Sequence, residues 1–265
     1  MGWKDVFNYS KAVAGNHGLE AAANPVREDD GLPLGGRVGG MLTLQMTPFI
    51  RASTGGSLLT IPALPTALIK AISRVKLNLD GKLYRYYLET GDADDGQEVF
   101  LQIYEDPTGQ VAELLYCTRL IRLIPETEDD QNAFTGSLGA GLGDKNFTVW
   151  KEQLANSGIS EAALNNIFGA ETSFEYMRDT SRSTDGFVAP FTGSESRVDD
   201  PNGEHGLKQE LYFMPYVRKT SGGMDEYLLI ATEIIEDQNG DASKRAIHVD
   251  FMIGIPLEKE RVTVQ

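Results

Sequence analysis

The stretch from Glu98 to Tyr116 constrains the fold most, because two alternating segments flank a turn whose residues have clear conformational preferences. Val99, Leu101 and Ile103 share one face of an extended segment, since side chains alternate with period two along a strand. Asp106-Pro107-Thr108-Gly109 supplies an acceptor, a fixed φ and a final glycine, as a type I turn favours. These features predict a β-hairpin. Its return strand is apolar on both faces and is therefore predicted to lie at the centre of a sheet.

Two more sets of alternating segments predict further hairpins. Asp80-Gly81 separates two such segments, and this dipeptide is the strongest short-range hairpin signal because both residues take positive φ. Near the end of the chain, three alternating segments lie at 207–218, 226–235 and 246–255, with glycine-containing turns between them, the second at Asn239-Gly240. The sequence therefore predicts an α+β protein that is mainly antiparallel β, with two meanders of long strands.

The segments around the meanders are assigned from shorter patterns. A small helical insertion is predicted at about 148–168, with Thr148 as the N-cap of its first helix and Ser160 at the start of its second. Helical spacing of apolar residues favours a further helix over 64–75. Strands are expected at 41–50 and 57–61, and loops without periodicity at 126–143 and 181–206. Loops longer than about 15 residues are usually functional or disordered.

The domain organisation follows from these assignments. Residues 1–31 are predicted to form an N-terminal helix and a linker, and residues 32–265 a single mainly-β domain. The halves of this domain, 32–125 and 171–265, would be joined by the helical insertion. All-β architectures of this length often remain one domain, because a chain of this size can bury a sizeable core.

The charge balance restricts the classes of partner. A formal net charge of -15 repels phosphate backbones, so no nucleic acid is expected as a partner. Direct membrane insertion is not expected, because no run of about 18 apolar residues occurs. Residues 2–14 could still contact a membrane interface or a partner. The lack of a secretory signal, and a single cysteine, Cys117, that excludes an internal disulfide, favour a cytoplasmic location.

His248 and Asp250 are the candidate catalytic residues. They share the polar side of the last long segment, about 6 to 7 Å apart from the rise per residue of a strand. A histidine beside a carboxylate can act as an acid–base pair. A turn at Asn239-Gly240 would place His248 near Ile230, where the neighbouring strand offers no third polar partner. The alternative is therefore a solvent-facing pair without chemistry.

Two acidic stretches are the candidate metal sites, with Asp92 and Asp94 in the first and Asp237 and Asp241 in the second. Neither matches an EF-hand loop, because glycines and His248 stand where oxygen ligands are required. The three histidines of the chain have no zinc-binding spacing. Solvated hairpin turns are the alternative explanation, and neither a metal nor a cofactor is expected.

Four segments carry a family resemblance: Leu32-Pro33-Leu34-Gly35-Gly36-Arg37-Val38-Gly39-Gly40, Leu83-Tyr84-Arg85-Tyr86-Tyr87-Leu88, Val99-Phe100-Leu101-Gln102 and Glu226-Tyr227-Leu228-Leu229-Ile230. They resemble the YjfK-like family of bacterial proteins of uncharacterised function (domain of unknown function family 2491), over about residues 32–264. The family has no assigned catalytic residues to carry over. The resemblance implies, as context, a place beside phage-shock-protein-A-like membrane-stress proteins, which would suit an adaptor.

The sequence favours a non-enzymatic binding or assembly module that associates with a protein partner or with itself as a homo-oligomer. Long strands need partners at their edges, and no polar residues converge in the sequence pattern as a catalytic site would require. One alternative is a hydrolase or small-ligand enzyme that uses His248 and Asp250. Another is a structural protein of a phage or a similar particle, which fits the same composition.

Overall fold

The computed structural model describes residues 27–89, 97–180, 184–203, 205–235 and 246–265. Its elements, in chain order, are β1 (Met41–Leu44), α1 (Thr47–Thr54), β2 (Thr66–Leu77), β3 (Lys82–Glu89), β4 (Val99–Glu105), β5 (Val111–Leu123), α2 (Glu128–Thr135), β6 (Asn146–Trp150), α3 (Lys151–Asn156), α4 (Glu161–Phe168), β7 (Ser173–Arg178), β8 (Phe191–Val198), β9 (Gly206–Lys219), β10 (Asp225–Ile235), β11 (Ala246–Pro256) and β12 (Val262–Val264). The strands pair antiparallel throughout these ranges, which confirms the prediction of a mainly antiparallel β protein.

Eight of the strands close on themselves as a barrel. They follow the order β2, β3, β4, β5, β11, β10, β9 and β8, and β8 then pairs with β2 to complete the circle. The two predicted meanders are present as β2 to β5 and β9 to β11, but they form one closed sheet. Closure pairs the long strands with one another and removes the free edges that an open sheet would expose.

The hairpins that join β2 to β3 and β4 to β5 have a glycine in each turn. The expectation of positive φ at both Asp80 and Gly81 is wrong for Asp80, because four residues, 78–81, connect β2 to β3 in place of a two-residue turn. Gly81 has φ 90° and Gly109 has φ 82°, conformations that L side chains rarely adopt. In the second turn, the Gly109 amide donates to the Asp106 carbonyl over 2.9 Å, as expected for a tight turn. The predicted central position of the return strand is confirmed, because β5 lies between β4 and β11.

The two faces of the barrel strands carry different cores. One apolar cluster is inside the barrel and is built from strand residues alone: Ala71, Val75, Leu83, Tyr87, Phe100, Leu115, Cys117, Leu211, Phe213, Leu229, Ala231 and Met252. The larger cluster covers the outer face and adds residues of the helices, such as Phe49, Leu154 and Phe168. Both faces of most strands are therefore buried, so alternation of apolar and polar residues weakens in the sequence.

The predicted helix at 64–75 is wrong, because these residues belong to β2. Ile69, Ile72 and Val75 are buried on a strand that is covered on both faces. Apolar residues on both sides of a strand can coincide with helical spacing by chance. The predicted strands at 41–50 and 57–61 are likewise corrected. The first ends at Leu44, and the second stretch forms no strand.

The predicted loop at 181–206 is also wrong, because it contains β8, the strand that closes the barrel. Gly193 lies where β8 meets β2, and a Cβ atom at this position would overlap the carbonyl oxygen of Lys76. Glycine is therefore required by the close approach of the two backbones. Because most residues of β8 are charged, polar or small, its sequence lacks the apolar alternation by which a strand is recognised.

The helical regions are corrected in detail. The insertion contains α3 and α4, but Thr148 lies in β6 and caps no helix. Ser160 does cap α4, since its side chain accepts a hydrogen bond from the Ala163 amide. The predicted loop at 126–143 contains the helix α2. Thr127 caps its N-terminus, and the helix ends at Gly136, which takes the left-handed conformation.

Some expectations fall on other parts of the chain. The predicted helix at 2–14 and the turn at Asn239-Gly240 lie outside the described residues. Among the ranges that are described, none of the helices has the length and apolar character that a membrane crossing requires.

Candidate ligand site at the mouth of the barrel

The interior of the barrel holds a buried ion pair as well as apolar side chains. Arg85 contacts Glu195 over 2.8 Å, and the side chain of each is 2% exposed. Glu195 also accepts from the Tyr87 hydroxyl at 2.6 Å and from the Gln209 amide at 3.3 Å. Burial alone would raise the pKa of Glu195, but Arg85 and these donors hold that pKa below its ordinary value. The pair therefore stays charged inside the barrel.

One end of the barrel opens into a small polar cavity, which we call the mouth cavity. Its volume is about 120 Å³. It is lined where β3, β5, β8 and β10 end and where β4, β9 and β11 begin, by Tyr87, Glu98, Arg122, Glu195, Arg197, Leu207, Gln209, Glu233, Ile235 and His248. Five of these ten residues carry a carboxylate or a guanidinium group, so the cavity is dominated by charged groups.

Strand register brings His248 to this cavity, and Asp250 to the Arg122 that lines it, in a way that corrects the sequence prediction. His248 lies opposite Glu233 on β10, not near Ile230, and Asp250 lies opposite Arg122 on β5. The error arises because β10 ends at Ile235 and β11 begins at Ala246, so no two-residue turn at Asn239-Gly240 sets the register.

Asp250 is not part of an acid–base pair with His248. Its carboxylate is held by Arg122, which donates from Nε at 2.6 Å and from a terminal nitrogen at 2.5 Å. Asp250 is 0% exposed, so the alternative of a solvent-facing pair is wrong for this residue as well. Because a bidentate guanidinium occupies both carboxylate oxygens, Asp250 fixes the position of Arg122.

Glu233 differs from the other acidic groups at the mouth, because no arginine in the described part of the chain pairs with it alone. Each neighbouring carboxylate contacts a separate guanidinium: Glu195 with Arg85, Glu98 with Arg119, Asp250 with Arg122 and Asp199 with Arg197, over 2.5 to 3.1 Å. Of the arginines and lysines that the structure describes, Glu233 contacts Arg122 alone, at 3.5 Å, and shares it with Asp250. Sequence reasoning missed Glu233, although a charged residue in a long strand that is otherwise mostly apolar signals such a position.

Burial and neighbouring charges change the protonation of Glu233. Loss of hydration, followed by the negative charges of Asp250 and Glu195, raises the pKa of Glu233 to about 8. Burial also raises the pKa of Glu98. The carboxyl group of Glu233 is therefore largely protonated at neutral pH, which is unusual for an acidic side chain.

Two polar atoms at the cavity have no hydrogen-bond partner among the described residues. They are Oε1 of Gln209 and Nδ1 of His248. Gln209 is 5% exposed, so water does not solvate its amide freely. Burial, and then the positive charge of Arg122, lowers the pKa of His248, so its imidazole is neutral at pH 7. Within the described ranges, the cavity therefore offers polar groups without partners beside a carboxyl that shares its guanidinium with Asp250.

A second buried carboxylate, Glu226, provides the contrast. It accepts from the Leu58 amide at 2.8 Å, from the Tyr176 hydroxyl at 2.7 Å and from Nε of Arg218 at 2.7 Å. Ser57 donates to it as well. With all these donors in place, Glu226 fastens the segment after α1 to the outside of the barrel and is not available to a ligand.

The candidate metal ligands Asp92, Asp94, Asp237 and Asp241 lie outside the described residues. Within the parts of the chain that the structure covers, no three or more His, Cys, Asp or Glu side chains are arranged to hold a metal ion. Cys117 is buried inside the barrel, where loss of hydration raises the pKa of its thiol, and it acts as a small apolar side chain.

In comparisons with known proteins, no family model, no curated protein and no solved structure matches the chain. The resemblance to YjfK-like proteins stays an expectation from the sequence. The functional conclusions below therefore depend on the geometry of the mouth cavity alone.

Proposed function

We propose that this protein is a non-enzymatic binding module that takes a small polar ligand into the mouth cavity. The observation that carries the proposal is Glu233, a buried carboxyl that, among the described residues, shares its only guanidinium with Asp250. The same part of the structure gives no partner to Oε1 of Gln209 or Nδ1 of His248 in this cavity. Buried polar groups without partners cost about 1 to 3 kcal/mol each, so a ligand that completes their hydrogen bonds is favoured.

The size of the cavity limits the ligand. Pockets for drug-sized molecules measure about 300 to 1,000 Å³. The mouth cavity has about 120 Å³ and is rigidly framed by barrel strands. A ligand of a few non-hydrogen atoms, or a short group at the end of a larger molecule, matches this space. The charged lining favours a polar ligand over an apolar one.

Closure of the barrel weakens the case for assembly through strand edges. The long strands pair with one another, and the described sheet ends in the short strands β6 and β12. Short edge strands are a common means of avoiding edge-to-edge association. A protein partner, self-association, a role as an adaptor in membrane stress and a role in a particle therefore stay predictions from the sequence.

An enzyme is the second candidate, and Glu233 is the observation that favours it. A carboxyl group with a pKa of about 8 can transfer a proton near neutral pH. In this form the hydrolase hypothesis would use Glu233 and His248, because Arg122 occupies Asp250. It predicts that the Glu233→Gln variant still binds its substrate but no longer turns it over.

The binding proposal is tested by NMR titration of the isotopically labelled protein with methylammonium, acetate, glycine and acetamide. We expect at least one of them to shift amide signals of Gln209, Glu233 and His248 in a saturable way. Leu207→Trp should abolish the response by filling the cavity, whereas Leu138→Trp, at a residue that is 75% exposed elsewhere, should not.

A second variant tests the proposal independently, in case Leu207→Trp fails to fold. Gln209→Leu preserves the volume of the side chain and removes its unpartnered oxygen, so it should weaken binding while the spectrum stays dispersed. If none of the four probes shifts the lining residues of the wild-type protein, the proposed function is wrong.

A further inference from the structure

We infer that the ligand of the mouth cavity is a small organic cation with N–H donors, such as an ammonium or guanidinium group, which pairs with Glu233. The inference rests on the proposed function and names its ligand class. It is carried by the pairing pattern of the charged groups around Glu233 and by the unpartnered amide oxygen of Gln209.

The arginines of the cavity are already engaged, so an anion has little to bind. Arg122 places two nitrogens on Asp250. Arg197 donates from Nε to Asp199 at 2.7 Å, and its guanidinium carbon lies 4.5 Å from the centre of the Tyr87 ring. An anionic ligand would also meet the carboxylates of the cavity, and like charges at short range repel.

The acceptors, in contrast, have unused capacity. Glu233 lies 3.5 Å from the Arg122 guanidinium, which is longer than a strong charge-assisted hydrogen bond. Gln209 lines the cavity and is only 5% exposed. Its Oε1 has no hydrogen-bond partner among the described residues. A group that donates several hydrogen bonds and carries a positive charge satisfies both positions. Ammonium and guanidinium groups have this property.

A metal ion fits the cavity less well than an organic cation. Calcium takes six to eight oxygen ligands, about 2.3 to 2.6 Å from the ion. The described residues contain no such group of three or more acidic, histidine or cysteine side chains. The neighbouring carboxylates are held by their arginines and would have to exchange partners before they could coordinate a metal.

The protonation of the Glu233 carboxyl depends on charged groups on the strands around it. These groups are Asp250 and His248 on β11, Arg122 on β5, Glu98 just before β4, Glu195 on β8 and Arg85 on β3. Together they make the ionised carboxyl unfavourable in the empty cavity. A bound cation reverses this balance, so the carboxyl releases its proton to solvent and pairs with the ligand.

The exchange is tested by following the side-chain carboxyl carbon of Glu233 by NMR through a pH titration, at equal ionic strength in sodium chloride and in methylammonium chloride. Glu233→Gln assigns the signal. In sodium chloride we expect a midpoint near the value of about 8 that burial and its neighbours produce. Methylammonium should lower that midpoint by about one pH unit or more.

The same exchange appears in the affinity. The dissociation constant of methylammonium should rise roughly tenfold for each pH unit below the Glu233 midpoint, because one proton leaves for each cation bound. Glu233→Gln should bind methylammonium at least about tenfold more weakly and without this slope. Glu113→Gln is the matched control, since Glu113 begins β5 at the opposite end of the strand from Arg122 and should leave both measurements unchanged.

The outcomes separate the two proposals. Binding of methylammonium with no change in the Glu233 midpoint overturns the proton exchange and leaves the binding function intact. Binding of acetate in place of methylammonium overturns the cation class. Absence of binding by every probe overturns the inference and the proposed function together.

Discussion

Two glutamates on one strand show how surroundings decide the chemistry of a side chain. Glu226 and Glu233 both lie on β10, and both are buried. Glu226 accepts hydrogen bonds from Arg218 and Tyr176, so its charge is fully satisfied. Glu233 shares a distant guanidinium with another carboxylate and keeps its proton. The first is a fixed structural anion, whereas the second can change its charge.

The protonation of Glu233 should appear in the stability of the protein. Its pKa rises from 4.5 to about 8 on folding, so the folded state binds the proton more tightly than the unfolded state. The contribution of Glu233 is therefore most favourable below pH 4.5 and is lost as the pH rises to about 8, by at most about 1.4 kcal/mol per pH unit. Urea denaturation across this range measures it.

Glu233→Gln provides the reference for this measurement. The variant cannot ionise, so the difference in unfolding free energy between it and the wild-type protein should grow in favour of the variant between pH 4.5 and about 8. A constant difference over that range would show that the carboxyl is ionised at neutral pH in the folded protein.

At the level of elements, β8 determines whether the sheet is a barrel or an open layer. It is the strand that pairs with both β2 and β9. Its backbone approaches β2 so closely at Gly193 that no side chain fits beside the Lys76 carbonyl. Closure of the sheet between β8 and β2 therefore depends on a glycine at this position.

Gly193→Ala should destabilise the protein by about 1 to 3 kcal/mol or more, because the added methyl group forces the two backbones apart. Hydrogen exchange should show loss of protection at β2 residues 72–77, which pair with β8. Gly186→Ala is the matched control, since a Cβ atom there meets no atom within 4 Å. Equal stability of the two variants would contradict a closed barrel.

The sequence predicts the elements whose signals are local. Asp80-Gly81 and the turn from Asp106 to Gly109 carry their conformational preferences within a few residues, and both hairpins are found where predicted. β8 has no such signal, because its residues are small or charged and its partners are distant in the chain. β2 misleads for a different reason. Covered on both faces, it lacks the alternation by which a strand is recognised.

The candidate site is predicted only in part for a related reason. His248 and Asp250 are recognised as polar residues of the last long strand. The structure places His248 in the lining of the mouth cavity and Asp250 against Arg122, which also lines it. Arg122 and Glu233 reach them through the register between β5, β11 and β10. Register between strands that no short turn connects depends on the whole sheet, so it cannot be derived from one segment.

At the scale of the whole molecule, the barrel encloses charge in place of a uniformly apolar core. Arg85 and Glu195 contact each other inside it, and the Arg85 guanidinium carbon lies 5.0 Å from the centre of the Phe100 ring. A buried pair of this kind gives little net stability compared with apolar residues, but loss of one partner leaves the other without compensation. The interior is therefore sensitive to single substitutions.

Glu195→Gln should destabilise the protein by about 3 to 5 kcal/mol, because it leaves the guanidinium of Arg85 buried without a counter-ion. Adding Arg85→Met to the same chain should recover most of this loss, since no charge then remains unpaired. Asp225→Asn removes one partner of the exposed pair with Lys219 and should cost less than about 1 kcal/mol. A double-mutant cycle by urea denaturation measures these values, and additive effects would refute the coupling.

The pairing of β1 with β12 determines how the molecule would respond to a pulling force. Leu42 lies opposite Val264, and Met41 and Gln265 exchange backbone hydrogen bonds, so the first residue of β1 adjoins the last residue of the chain. A force applied between these two residues loads the hydrogen bonds one after another, from one end of the pair. β12 and β1 therefore unzip from each other before the hydrogen bonds that close the barrel carry the load.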